Sequence, residues 1–249
     1  MLVLKMTITT RKKIAIVALL LMASSFQACA TTTKVGAAAS VIHTAASPAQ
    51  STGYDWAQVL PAPPVAGGLV DSADMAEVRQ LQSLENSARW AQAIQDNSFD
   101  VYKIYGPIIG DGFTAANRPE ILALMAYAGR RLSMASSESK RQFARPRPFI
   151  AATDLRICLA TPPSEFSFPS GHSGWGWLSA QILARVEPAH ASAILARGRD
   201  YGYSRVVCAV HYQSDLEAGR YLADAVLAQL DSDPEYQRLL AAAKGVNPR

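Results

Sequence analysis

Three short fragments of this chain carry residue types suited to one chemical task. They are Lys140 with Arg147-Pro148, then Pro169-Ser170-Gly171-His172, then Ser204-Arg205 with His211 and Asp215. Pooled, they hold three cations, two histidines, one carboxylate and a small Gly-containing turn. Cations and N–H donors suit a tetrahedral oxyanion. One imidazole is available for attack and another for proton delivery. The inventory points to phosphoryl transfer without a metal.

Each fragment is weaker alone. A neutral imidazole can attack phosphorus, and a carboxylate on one ring nitrogen fixes the tautomer and stabilises the cation that forms. Asp215 stands four positions after His211, so one helical turn would set both on one face. The ring could equally be held by another carboxylate or a backbone group. Taken alone, the pair reads better as a surface ion pair. Pro169-Ser170-Gly171-His172 opens a helical pattern, and the N–H groups of such a turn bind anions. Ser170 adds a hydroxyl donor and His172 a general acid; an N-capping turn with an incidental histidine explains the same letters as well. The run Lys140, Arg141, Arg145, Arg147 offers forks and point charges for phosphate oxygens. By itself it is better read as a solvated basic loop.

The elements that must position these fragments read as helices. Apolar residues fall at helical spacing over 72 to 98 (Met75, Val78, Leu81, Leu84, Trp90, Ala93, Ile94). Pro119 suits the first turn of a helix over Glu120 to Ser136. Further helices are expected over 172–186, 188–204, 213–230 and 233–244, with Asp215 and Asp233 in opening turns. Pro146 and Pro148 force the end of the basic run out of helix. Leu60-Pro61-Ala62-Pro63-Pro64 reads as an extended arm. Sustained strand alternation is absent, so the expected fold is all-α, a single-domain helical bundle.

The first residues read as an export signal. Lys5, Arg11, Lys12 and Lys13 precede the apolar run Ile14–Met22, and Ala28-Cys29-Ala30 is a cleavage site. Residues 1–30 are therefore expected to be a signal peptide cut after Ala30, ranked above lipidation of Cys29 because Phe26 suits a lipoprotein motif poorly. Residues 31–53, rich in Ala, Thr and Ser, read as a disordered spacer, and 54–249 as the helical domain. The leader holds four of the 24 basic residues and none of the 20 acidic ones, so the remaining chain is formally neutral. The net charge of +4 thus says nothing about nucleic acid or membrane surfaces. After the leader no apolar stretch is long enough to cross a bilayer. Cys158 and Cys208 remain, an even pair for which an exported protein predicts a disulfide. The expected location is periplasmic or secreted.

Taken together, K-x6-R-P, P-S-G-H and S-R-x5-H-x3-D match in order without a substitution. On these motifs the chain resembles the phosphatidic acid phosphatase type 2 and haloperoxidase superfamily. Within it the chain is similar to the bacterial class A non-specific acid phosphatases. The arm Leu60–Gly67, Arg145-Pro146-Arg147-Pro148-Phe149, Ser204–Cys208, His211–Asp215 and Asp231-Ser232-Asp233-Pro234 carry that likeness, which runs from about Tyr54 to Lys244. The resemblance implies that His211 is the nucleophile of a phosphohistidine intermediate and that Asp215 orients it. It implies that His172 protonates the leaving alcohol and then activates water. Lys140, Arg147 and Arg205 would neutralise the phosphate oxygens, with Ser170 and the Gly171 N–H completing the cradle. Cys158 and Cys208 fit a family disulfide.

The implied activity is broad-specificity hydrolysis of small phosphate monoesters, with phosphate transfer to alcohols as a side activity. No cofactor, no metal and no nucleic-acid partner is implied, and assembly into a homo-oligomer is compatible. A vanadate-dependent haloperoxidase using the same cradle is the alternative, disfavoured by the short chain and the proline arm. An acidic optimum requires His172 protonated and His211 neutral, hence two histidine environments pushed apart. Nearby cations must then outweigh the upward pull of Asp215 on His211.

Two departures stand out. Ala209 occupies a position where glycine is expected, and carries strain if the backbone there takes positive φ. Ser173-Gly174-Trp175-Gly176-Trp177 is rich in glycine and tryptophan and could reshape the pocket wall. His43 and His190 have no metal-ligand company, and no zinc spacing occurs. Tyr201, Tyr203 and Tyr212 read as core or rim, and Tyr105 and Phe113 as part of a Gly-rich loop placed to cover the pocket.

Overall fold

The computed structural model describes residues 53–245, and all statements below concern these. The expected leader, the cleavage or lipidation site at Cys29, most of the spacer and His43 lie outside them. Ten α-helices follow one another: α1 Trp56–Val59, α2 Leu69–Leu81, α3 Ala88–Gln95, α4 Val101–Ile109, α5 Pro119–Phe143, α6 Pro148–Ala151, α7 Gly171–Val186, α8 Ala191–Val207, α9 Gln213–Leu230 and α10 Pro234–Ala243. Among the described residues no strand forms; one isolated bridge joins Pro146 and Phe166. The fold is all-α, as the periodicity implies.

Local chemistry fixes most boundaries. Asp100 accepts from the N–H groups of Tyr102 and Lys103 and starts α4. Pro119 sits at the start of α5, which ends at Ala144 in the left-handed conformation (φ 47°) after Lys140 and Arg141 in its last turn. Asp233 caps α10. The helix expected over 72–98 is instead two helices. A 3₁₀ turn at Gln82–Leu84 and a left-handed Asn86 (φ 65°) break it, and Ser87 caps the restart. Pro148 does not exclude helix; it opens the short α6 as its first residue.

The core forms where α7 packs against α8, α9 and α5. Leu124, Leu178, Ile182, Leu183, Ile194, Leu222 and Val226 are almost fully buried there. Glycine lets α7 and α8 cross with backbones in contact: a Cβ on Gly176 would meet the Gly198 carbonyl at 2.6 Å. A Cβ on Gly219 would meet the Ser170 carbonyl at 2.4 Å, so α9 reaches the N-terminus of α7 only because that position is bare. Gly174 and Gly176 thus serve packing, while the intervening Trp175 turns to a groove described below. Tyr105 and Phe113 are not a covering loop. Tyr105 lies within α4, fully buried, and its hydroxyl meets the Gly176 carbonyl at 2.8 Å and Ser179 Oγ at 2.9 Å; Phe113 is buried as well.

Candidate active site

The three sequence fragments meet where α5 ends, α7 begins and α8 turns into α9. Lys140 Nζ, in the last turn of α5, donates to the carbonyls of Phe166 (3.2 Å) and Ser167 (2.9 Å). That contact ties α5 to the loop before Ser170. Ser170 caps α7 by accepting from the Ser173 N–H, and its own N–H donates to the Asp215 carbonyl at 2.9 Å. Gly171 is the first residue of α7 and lies close to Ser136 Oγ, which an added Cβ would meet at 3.3 Å.

His211 precedes α9 rather than lying on it, and Asp215 sits in the opening turn. Asp215 Oδ2 lies 3.2 Å from His211 Nδ1 and accepts from the Tyr212 N–H at 2.9 Å. Capping the helix and holding the ring are therefore one geometry. A carboxylate acceptor at Nδ1 keeps the proton there, so Nε2 carries the lone pair. Arg147 Nη1 stands 3.0 Å from that nitrogen and also donates to the Val210 carbonyl at 2.6 Å. The Arg147 Nε–H donates to the Ser164 carbonyl.

Arg205, almost fully buried, donates from Nη1 to Asn97 Oδ1 (3.2 Å) and from Nη2 to the Ala93 carbonyl at the end of α3. Its Nε is buried with no hydrogen-bond partner among the described residues. His172 is half-buried; its Nε2 lies 3.4 Å from the Asn97 carbonyl oxygen, and its ring is 4.3 Å from that of Phe99. Lys140, Arg147, Ser170, Gly171, His172, Arg205, His211 and Asp215 are thus gathered in one region.

The electrostatics follow from burial beside cations. His211 is held well below the usual 6.5, by burial first and then by Arg147 and Lys140. His172 is lowered to about 3, by burial and then by Arg205. Lys140 falls to about 7, again by burial and then by Arg147. Burial also brings Arg147 and Arg205 down to about 10. Burial pushes the Asp215 carboxyl up, against the pull of Arg145 and the Tyr212 N–H. Burial first, and the neighbouring cations second, thus depress both imidazoles in the free protein.

Residues missed in the sequence, or read there in another role, complete the site; Arg145, read as a phosphate contact, is instead held by carboxylates. Arg145 bonds Asp215 Oδ1 at 2.8 Å, Asp71 at 2.8 Å and Asp74 at 3.0 Å. The Tyr212 ring lies 4.0 Å from its guanidinium carbon. Asn97 holds Arg205 by its side chain and faces His172 with its carbonyl. Asp96, buried, accepts from Ser204 Oγ (2.6 Å) and pairs with Arg197. No local pattern marks these residues, since their partners are about 70 to 140 positions away. Cys158 and Cys208 form the expected disulfide, closing 50 residues and anchoring the loop before the cradle to the segment before His211. Ala209 has φ 54°, the left-handed conformation in which glycine is favoured. His190 ends the 3₁₀ turn Pro188–His190 between α7 and α8.

The motifs and geometry agree with the comparisons. Residues 121–230 match the PAP2 superfamily. A non-specific acid phosphatase of Providencia stuartii is 33% identical over 78% of this chain and 81% of its own length. An acid phosphatase of Zymomonas mobilis is 34% identical over 73% of this chain and 71% of its own length. A non-specific acid phosphatase of Salmonella typhimurium is 31% identical, covering 65% of this chain and 68% of its own length. The chain belongs to the PAP2 superfamily, among its acid phosphatases. The haloperoxidase alternative is not favoured.

Proposed function

We propose that the chain is an exported acid phosphatase hydrolysing phosphate monoesters through a phosphohistidine at His211, without a metal. The observation that carries this reading is the pairing of His211 Nδ1 with Asp215, which leaves the Nε2 lone pair beside Arg147. In the first half-reaction that lone pair forms the N–P bond while the ester P–O bond breaks. The bonding electrons leave on the alcohol oxygen, which takes a proton from His172. In the second half-reaction water attacks phosphorus, His172 takes its proton, and the N–P bond breaks to release phosphate.

Lys140, Arg147 and Arg205 spread charge over the phosphate oxygens, the part a metal ion plays elsewhere. The unpartnered Arg205 Nε is a donor left over for an anion. Ser170 Oγ and the Gly171 N–H, at the N-terminus of the 16-residue α7, supply the rest of the cradle. His172, neutral in the free protein, gains its proton when substrate charge offsets the cations that depress it. The disulfide supports an oxidising compartment, as does the basic, then apolar leader.

The test is hydrolysis of a chromogenic phosphate monoester with and without chelator, for the wild type and His211→Ala. Chelator-resistant turnover that the substitution abolishes is expected. Turnover lost with chelator would sink the metal-free mechanism, and equal activity in the variant would sink the nucleophile. Vanadate, which mimics the five-coordinate transition state, is expected to inhibit.

A further inference from the structure

Beside the cradle lies a groove of about 940 Å³, at the large end of the range for small-molecule sites. Its walls are mostly apolar, with Phe99 and Tyr102 on one side, Leu122, Met125 and Leu132 of α5 on the other, and Trp175 of α7; Asp100, Arg130, Ser133 and Ser137 are polar exceptions. Lys140 and Gly171 line it too, so the groove and the phosphate cradle are continuous. Phe99 links them, because its ring touches that of His172 at 4.3 Å and lies 6.3 Å from Trp175. Phe99 and Leu122 remain 53% and 58% exposed, so large apolar groups face water along a space that a phosphate alone cannot fill.

One wall is set by a costly residue. Gly129 sits inside α5, where glycine destabilises a helix by about 1 kcal/mol relative to alanine. A Cβ there would meet Trp175 Cζ3 at 2.9 Å, so the bare position seats the indole against α5.

We propose that the groove receives the alcohol half of the substrate and that the enzyme prefers monoesters of apolar, chain-like alcohols. This rests on the phosphomonoesterase reading above. With phosphorus in the cradle and the ester oxygen toward His172, the substituent on that oxygen passes Phe99 into the groove. A sugar or other polyhydroxy alcohol would find polar partners only at Arg130, Asp100 and the serines, and would lose hydration over the larger apolar part of the walls.

The experiment compares kcat/KM for methyl, butyl, hexyl and octyl phosphate, kept monomeric, with glycerol phosphate as the polar control. The linear alcohols are nearly equal as leaving groups, so the trend reports burial of the chain. A rise of up to about fourfold per methylene is expected from burying each one, with glycerol phosphate below butyl phosphate. Leu122→Asp, at an exposed lining position, should lower the octyl-to-methyl ratio at least tenfold with an unchanged circular dichroism spectrum. A flat series, or a rise that Leu122→Asp leaves intact, overturns the proposal while the phosphatase reading stands. A flat series with a dimer in sedimentation also overturns it, assigning the groove to self-association. Failure to hydrolyse any monoester, methyl phosphate included, sinks the phosphatase reading and this proposal with it.

Discussion

Arg145 Nη1 lies 2.8 Å from Asp215 Oδ1, so the carboxylate that meets His211 through one oxygen is gripped by a guanidinium through the other. Asp215 is fully buried and Arg145 nearly so. The same guanidinium binds Asp71 and Asp74, and Ser214 Oγ bridges Arg145 and Asp74. Arg145 is thereby a positioning residue for the proposed nucleophile.

Replacing Arg145 should injure both stability and turnover. Arg145→Met leaves the buried Asp74 and Asp215 and the partly exposed Asp71 clustered without a counter-charge, and breaking a buried pair costs about 3–5 kcal/mol. Arg145→Lys restores charge without the fork and should recover part of the loss. Denaturant unfolding and steady-state kinetics check this. Turnover should fall more than inhibition by inorganic phosphate, because Lys140, Arg147 and Arg205 are untouched. Equal losses in both would make Arg145 merely structural.

How much of this was legible follows from where the information lies. Every proposed cradle residue sits in a motif whose internal spacing is local, so Lys140, Arg147, Ser170, His172, Arg205, His211 and Asp215 could be named as candidates from the chain alone, and the fold brings them together. The left-handed backbone at Ala209 was legible as well, from an alanine where glycine was expected. Asn97 was not, and Arg145 was read only as one cation of the basic run, because the importance of both comes from tertiary partners. Asn97 reaches Arg205 across 108 positions, and Arg145 reaches Asp215 across 70. The break between α2 and α3 was hidden too. Apolar spacing continues through it, while Asn86 and the Ser87 cap turn the chain. Tyr105 was misplaced because Gly106 and Pro107 look like a loop; α4 tolerates both, and the Tyr105 ring is needed in the core.

Asn97 offers a sharper test of the cradle. Its side chain accepts from Arg205 Nη1, whereas its backbone carbonyl faces His172. Asn97→Ala removes only the first contact. A hydrogen bond to a charged group contributes about 1.5–3 kcal/mol, so phosphate inhibition should weaken about tenfold or more. The shape of the pH–rate profile should persist, since the carbonyl at His172 remains. Unchanged phosphate affinity would show that Arg205 needs no help from Asn97.

The disulfide joins the loop before Ser170 to the end of α8. Closing 50 residues restricts the unfolded chain by about 4 kcal/mol in the loop-entropy account. Cys158→Ser with Cys208→Ser should therefore unfold at markedly lower denaturant, and reductant should do the same to the wild type. Both sulfurs are buried, so reduction should be slow without denaturant. A double variant within 1 kcal/mol of the wild type, by the ~1.4 kcal/mol per tenfold conversion of its unfolding constant, would contradict the assignment.

His211 also makes stability depend on pH in a definite direction. Its folded value is held well below 6.5 by burial, Arg147 and Lys140, while the unfolded chain titrates near 6.5. Below that pH the unfolded state binds a proton that the folded state refuses. Stability is thus fully present above about 6.5 and is lost as pH falls below it, at about 1.4 kcal/mol per unit from this residue. His172, lowered to about 3, adds to the same slope. An anion in the cradle reverses the cause by offsetting Lys140, Arg147 and Arg205. Sulfate, doubly charged and proton-free between pH 5 and 6, should therefore bind with proton uptake and flatten the slope. Calorimetric titration in two buffers of different ionisation enthalpy measures the uptake, and thermal melts from pH 4.5 to 7 measure the slope. His211→Gln should remove about half of the dependence that the two histidines supply, leaving the part due to His172. Melting temperatures that do not change over this window, or sulfate binding without proton uptake, would show that the cradle cations do not control these histidines.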